Sequence, residues 1–212
     1  CQADIIFCFF GYNEALRGEA GVASFQADLE ALVDQMQSQQ YNGRSPPRIV
    51  IFSPIAHENL RSPHLPDGTE NNKEIARYRN VMEQVCTTKR VPFVDLFTPT
   101  QRLYRAAPTP LTLNGIHLLD HGNQAVAEVI LQELFPAVSL ADLQHLNQLR
   151  KAVQQKNDYW FNRYRVVDGY NVYGGRSKLA WHGQSNADVM RREMEIFDVL
   201  TANRDHNVWR VA

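Results

Sequence analysis

Three short apolar runs set the terms on which this chain can fold. Residues 4–10 (DIIFCFF) run unbroken to Gly11, residues 48–52 (RIVIF) form a second run closed by Ser53-Pro54, and residues 92–97 (PFVDLF) form a third. An unbroken apolar run of strand length suits a strand covered on both faces, the usual condition in a parallel sheet. Between the first two runs, Val22, Phe25, Leu29, Leu32, Val33 and Met36 recur at helical spacing until Gly43 to Pro47 break the pattern. Between the second and third, residues 71–88 place Ile75, Tyr78, Met82 and Val85 on one helix face. Strand, helix, strand, helix, strand predicts an open parallel α/β sheet with right-handed crossovers. Three strands make a thin sheet, so further strands ahead of residue 1 are expected. The start at Cys1, without methionine or signal peptide, points the same way, to a piece of a longer polypeptide.

Residues 55–69, rich in Pro, His, Asn and Asp, read as a long loop holding His57 and His64. A loop with Pro99, Pro108 and Pro110 follows the third run, and a helix is expected from about residue 122 to residue 134. Sites in open α/β sheets form beyond the carboxyl ends of the strands. Asn13, the His57–His64 loop and the loop before the last helix, with His117, therefore fall on one edge. The character changes at Pro136. Ser139 and Asp142 read as a helix N-terminus, continued by Leu140, Leu143, Leu146, Leu149 and Val153 at three-to-four spacing. An aromatic and basic stretch (159–165), a turn-rich segment (168–175) and a helix over 187–202 complete the tail. The expected division is an α/β domain over 1–136 and a helical C-terminal extension over 137–212.

Composition narrows the functional classes. With 212 residues, 44% hydrophobic and 21% charged, the chain reads as globular. A formal net charge of -1 implies no strong attraction to nucleic acid or to an anionic membrane. No apolar run approaches the ~18 residues of a membrane span. Three cysteines, Cys1, Cys8 and Cys86, are too few and odd for a disulfide framework and read as free thiols. His57 and His64 lack metal-ligand spacing and read as solvated loop residues, or as a wall if the loop binds substrate. No metal or cofactor is expected.

Two short motifs carry the chemistry. Gly11-Tyr12-Asn13-Glu14 puts a side-chain amide at a strand tip, where Gly11 permits an unusual turn. Asn114-Gly115-Ile116-His117 puts a histidine in a loop before a helix. Acyl transfer by a serine enzyme needs a nucleophile, a base, a group orienting that base and donors for the oxyanion. Asn13 can donate and His117 can act as base. Glu14 reads as a helix-start residue rather than a catalytic acid.

These blocks resemble those of the SGNH hydrolases, also called GDSL-type esterases, over about residues 3–135. The family's third block, Gly-x-Asn-Asp, stands here as Gly11-Tyr12-Asn13-Glu14, and its fifth, Asp-x-x-His, as Asn114-Gly115-Ile116-His117. The resemblance implies a flavodoxin-like three-layer fold with its first strands missing and a cofactor-free serine ester hydrolase acting on carboxylic, including carbohydrate O-acetyl, esters. It makes Asn13 an oxyanion donor and His117 the base, with Asn114 in the position of the orienting acid. Gly11, Tyr12 and His57 are expected on the substrate side. The family's Gly-Asp-Ser block has no counterpart, so the serine is expected upstream of Cys1 and this chain alone is expected to be inactive. At the corresponding position of serine proteases, asparagine for aspartate lowers turnover about 10⁴-fold. A serine–histidine dyad, a carboxylate recruited from elsewhere and an inactive site all remain open. Outside enzymes, the competing class is a non-catalytic scaffold or glycan-binding module. The tail (Asn162 to Arg165, Asp168 to Tyr170, Thr201 to Asp205, Trp209) resembles the segment after the esterase domain in multidomain planctomycete-type haem-binding proteins. This chain has no Cys-x-x-Cys-His motif. The resemblance implies further domains in the same polypeptide and a periplasmic or secreted setting.

Overall fold

The computed structural model describes residues 2–138, 146–165 and 169–212. The chain divides into two compact units, Cys1–Val138 and Ser139–Ala212.

In the first unit, β1 (Ile5–Phe9), β2 (Arg48–Phe52) and β3 (Phe93–Val94) form a parallel sheet in that order. Ile5 lies opposite Arg48, Phe9 opposite Phe52, and Phe52 opposite Val94. A short helix α1 (Tyr12–Ala15) and a 3-10 turn (Glu19–Gly21) lead into α2 (Val22–Gln37); α3 (Thr69–Lys89), α4 (Phe97–Ala106) and α5 (Asp120–Leu134) follow. The apolar stripes of α2 and α3 (Phe25, Leu29, Val33, Ile75, Tyr78, Met82) pack with Cys8, Ile49 and Ile51 on one side of the sheet. On the other, Val126, Val129 and Ile130 of α5 pack with Val50, Phe52 and Val94. This is the expected three-layer α/β arrangement. Cys8 and Cys86 are buried free thiols, and burial, with Cys8 close by, pushes the Cys86 thiol up to about 12. Cys1 lies outside the described residues.

Three local expectations are corrected. The first run is covered on one face only: Ile5, Phe7 and Phe9 are 47%, 45% and 57% exposed. Phe7 and Phe9 rest on Phe52 at ring separations of 5.1 and 4.2 Å, and among the described residues β1 pairs on its β2 edge alone. The third run is a strand only over Phe93–Val94, because the chain turns at once into α4. There the Ser53 hydroxyl accepts from the amides of Leu96 (2.8 Å) and Phe97 (3.0 Å). Residues 97–106, expected as loop, are helical; Pro99 sits in the first turn, where an amide has no helical acceptor to lose.

In the second unit, α6 (Leu146–Tyr164) contains the aromatic and basic stretch. Then come α7 (Gly169–Val172) and a hairpin of β4 (Ala180–Trp181) and β5 (Gln184–Ser185), turned at His182 and Gly183, both at positive φ. The last helix, α8 (Asn186–Val211), starts where the Ser185 hydroxyl accepts from the Asp188 amide at 3.1 Å, and continues past Ala202. It is held by partners on α6: Lys156 pairs with Asp205, Arg163 with Asp198 (2.9 Å), and the Arg204 guanidinium lies 4.9 Å from the Tyr159 ring centroid. The order of these contacts makes α6 and α8 antiparallel. Ser139, Leu140, Asp142, Leu143 and Asp168 lie outside the described residues. No helix among the described residues is long and apolar enough to cross a membrane.

Candidate active site

At the carboxyl end of β1 the chain must turn sharply, and Gly11 does so at φ 107°, a conformation that disfavours any side chain. A Cβ there would also lie 3.1 Å from Met82 Sδ and 3.2 Å from Pro54 Cγ. The Glu14 carboxylate accepts the Gly11 amide at 2.9 Å and so caps α1. The next two side chains diverge: Tyr12 turns inward, whereas Asn13 is exposed and its amide makes no hydrogen bond among the described residues.

The second motif sits in a closed loop. Thr112 and Leu118 form an antiparallel bridge, and the Leu113 amide donates to the His117 carbonyl at 2.8 Å. Asn114 Oδ1 accepts from the backbone amides of Ile116 (3.3 Å) and His117 (3.0 Å). Those two donors identify the inward-facing atom as the oxygen. His117 Nδ1, 3.0 Å from the same oxygen, must then donate. The proton is thereby assigned to Nδ1, and the Nε2 lone pair of this exposed residue has no partner among the described residues. Among the described residues Asn114 alone supplies a side-chain partner to the ring; the exposed Asp120, at the start of α5, makes no hydrogen bond to it.

Glu58, which the sequence did not single out, anchors this loop. It is buried, and its carboxylate accepts the amides of Leu111 (3.1 Å) and Thr112 (2.8 Å) and the Thr112 hydroxyl (2.6 Å). Its own amide donates to the Gly115 carbonyl at 2.9 Å. An acidic residue in a Pro-rich loop gives no sign of burial, because its donors lie more than fifty positions away.

His57 is not a solvated loop residue: it is buried, while His64 is exposed. The Asn72 side chain clamps the His57 backbone, accepting from its amide at 2.7 Å and donating to its carbonyl at 2.8 Å. The ring lies between two glycines; a Cβ on Gly68 would fall 2.7 Å from Cδ2, and one on Gly115 2.4 Å from Nε2. Tyr12 Oη stands 3.1 Å from Nδ1, and Asn71 Nδ2 reaches both Tyr12 Oη (3.1 Å) and Nδ1 (3.3 Å). Nδ1 therefore accepts and Nε2 carries the proton, with no acceptor at bonding geometry among the described residues. Burial holds the imidazole below its ordinary pKa, against the opposite pull of the Pro66 carbonyl and Asp67. A cavity of about 630 Å³ opens beside it, lined by Glu58, Arg61, Gln101, Tyr104 and Arg105 among others. Among the described residues no serine hydroxyl bonds to His117; the buried Ser53 hydroxyl is committed to the start of α4.

A family model described as the GDSL-like Lipase/Acylhydrolase family matches residues 1–125. No curated protein matches the chain. Among solved structures, the acetylxylan esterase Axe2 of Geobacillus stearothermophilus is similar at 16% identity, over 63% of this chain and 60% of that one, with a TM-score of 0.48. LAE5, an alpha/beta hydrolase enzyme from the metagenome of Lake Arreo, Spain, is similar at 17% identity, over 62% and 60%, with a TM-score of 0.48. The chain thus spans about six-tenths of the length of these solved structures.

Proposed function

The chain belongs to the GDSL-like lipase/acylhydrolase family, and from that premise we propose that it carries the base and oxyanion-donor half of a serine ester-hydrolase site. The observation that carries the reading is the Asn114 oxygen holding His117 Nδ1–H, which leaves Nε2 free to take a proton. In the proposed reaction, a serine from a segment outside these 212 residues gives its proton to His117 Nε2 and attacks the ester carbonyl. The free Asn13 amide donates to the oxyanion as it forms. Collapse returns the proton from His117 to the departing alcohol and leaves an acyl-serine, and water then repeats the sequence with its own proton. The edge of β1 that no described residue pairs, with Ile5, Phe7 and Phe9 exposed beside it, supports a further strand there as the carrier of the serine. The proposed substrates are carboxylic esters, with carbohydrate O-acetyl esters as the class the family resemblance implies. Residues 1–136 form the proposed hydrolase-like domain. Residues 137–212 are proposed to lead to further domains of the same polypeptide, as in the planctomycete-type proteins that the tail resembles.

The test is hydrolysis of p-nitrophenyl acetate and of an acetylated xylo-oligosaccharide. The 212-residue chain is expected to show no rate above background. A longer polypeptide that includes the preceding strand and its serine is expected to turn over, and to lose about 10³-fold or more in kcat with His117→Ala. Turnover by the short chain that disappears with His117→Ala would overturn the assignment of the serine to an outside segment. One observation favours a second reading, a non-catalytic scaffold or glycan-binding module: the side chain orienting His117 is a neutral amide, which stabilises an imidazolium less than a carboxylate does. That reading predicts no turnover by the longer polypeptide and retained binding of the acetylated oligosaccharide.

A further inference from the structure

The two motif residues stand on elements with little rigidity of their own. Asn13 belongs to α1, a single four-residue turn, too short to be held by its own hydrogen bonds. His117 belongs to a surface loop closed by an isolated bridge. Yet a residue next to Asn13 and one two positions before His117 meet the same buried side chain. Tyr12, adjacent to Asn13, puts its hydroxyl 3.1 Å from His57 Nδ1. Gly115, two residues before His117, presses so close to the opposite side of that ring that a Cβ would fall 2.4 Å from Nε2 and 2.7 Å from Cδ2.

We propose that His57 is the positioning residue that sets Asn13 and His117 relative to each other, acting through Tyr12 on one side and Gly115 on the other; this rests on the esterase reading of those two residues. The ring is itself immobilised. Asn72 holds its backbone in both directions, Asn71 ties Nδ1 to the Tyr12 hydroxyl, and Gly68 lies against Cδ2. Burial supplies a further condition, since a neutral ring keeps Nδ1 as an acceptor. The ring supplies both halves of the contact at once, an acceptor for Tyr12 and a surface for Gly115. Asparagine can put an acceptor near the position of Nδ1 but has no ring to meet Gly115. Leucine can fill much of the space but offers Tyr12 nothing. In this role His57 acts on the reaction through two loops, by way of Tyr12 and Gly115.

The two halves can be separated by NMR on the 212-residue chain. His57→Leu is expected to shift both the Asn13 amide signals and the His117 ring signals. His57→Asn, which keeps an acceptor for Tyr12, is expected to restore the Asn13 signals and leave those of His117 displaced. Tyr12→Phe removes one hydroxyl, keeps the packing, and is expected to shift Asn13 while sparing His117. Wild-type positions for Asn13 in Tyr12→Phe would overturn the proposal even if the His57 variants fail to fold. So would wild-type His117 signals in folded His57→Leu. In the serine-bearing polypeptide, Tyr12→Phe is expected to lower kcat about tenfold with KM little changed, the pattern of misplaced catalytic groups. Absence of turnover by the unmodified longer polypeptide would refute the esterase reading and leave the positioning result, obtained without activity, standing.

Discussion

At one edge of one sheet, two histidines hold their protons on opposite nitrogens. His57 accepts at Nδ1 from Tyr12 and Asn71, whereas His117 donates from Nδ1 to Asn114. The first is buried between glycines, and the second is exposed with Nε2 bare. The difference comes from the neighbours rather than from the imidazole: a hydroxyl and an amide nitrogen facing Nδ1 make it an acceptor, and an amide oxygen facing Nδ1 makes it a donor. Burial then decides use. His57 is held among protein neighbours, while the exposed His117 can exchange a proton with something outside.

The largest expected effect falls on Glu58, which ties the two histidine loops together. Glu58→Ala leaves the amides of Leu111 and Thr112 and the Thr112 hydroxyl without their buried acceptor. The expected loss is about 3 kcal/mol or more, read as a lower urea midpoint for the first unit. An unchanged midpoint would mean that the loops are held by something other than this carboxylate.

Asn114→Asp sharpens the contrast without altering shape, because a carboxylate can accept from the same Ile116 and His117 amides. In the serine-bearing polypeptide kcat is expected to rise at least about tenfold, against an upper bound of about 10⁴ set by the reverse change in serine proteases. No gain would indicate a carboxylate recruited from elsewhere.

The legibility of the molecule follows the range of its interactions. The parallel strands and the stripes of α2, α3 and α5 were readable because each is written in residues close together in the chain. The turn before Asn13 and the Asn114–His117 contact were readable for the same reason, since Gly11 enforces the first and Asn114 reaches its histidine from three residues away. Glu58 and the burial of His57 were not, because their partners (Leu111, Thr112, Tyr12, Asn71) converge from distant segments. Local pattern misled at Pro99, which sits in the first turn of a helix instead of preventing one. It misled also at Ile5, Phe7 and Phe9, where an apolar run resembles a strand covered on both faces and is covered on one.

The smallest effect is a pH dependence. His57 in the folded chain lies below its ordinary value of 6.5, chiefly through burial. As pH falls through that value, the unfolded chain takes up a proton before the folded one. The contribution of the neutral ring is therefore fully present above the ordinary histidine range and is lost progressively as pH falls toward the lowered folded value. Between about pH 8 and about pH 5 the urea midpoint of the wild type is expected to fall more than that of His57→Asn. Equal falls would show that His57 does not carry this dependence.

The opposite tautomers can be read directly from the nitrogen-15 spectrum of the imidazoles in the unmodified chain at neutral pH. The expected result is a protonated Nδ1 and a bare Nε2 in His117, coupled across a hydrogen bond to Asn114, with the reverse pattern in His57. A protonated Nε2 in neutral His117 would contradict the account, because the nitrogen assigned to receive the serine proton would already be occupied.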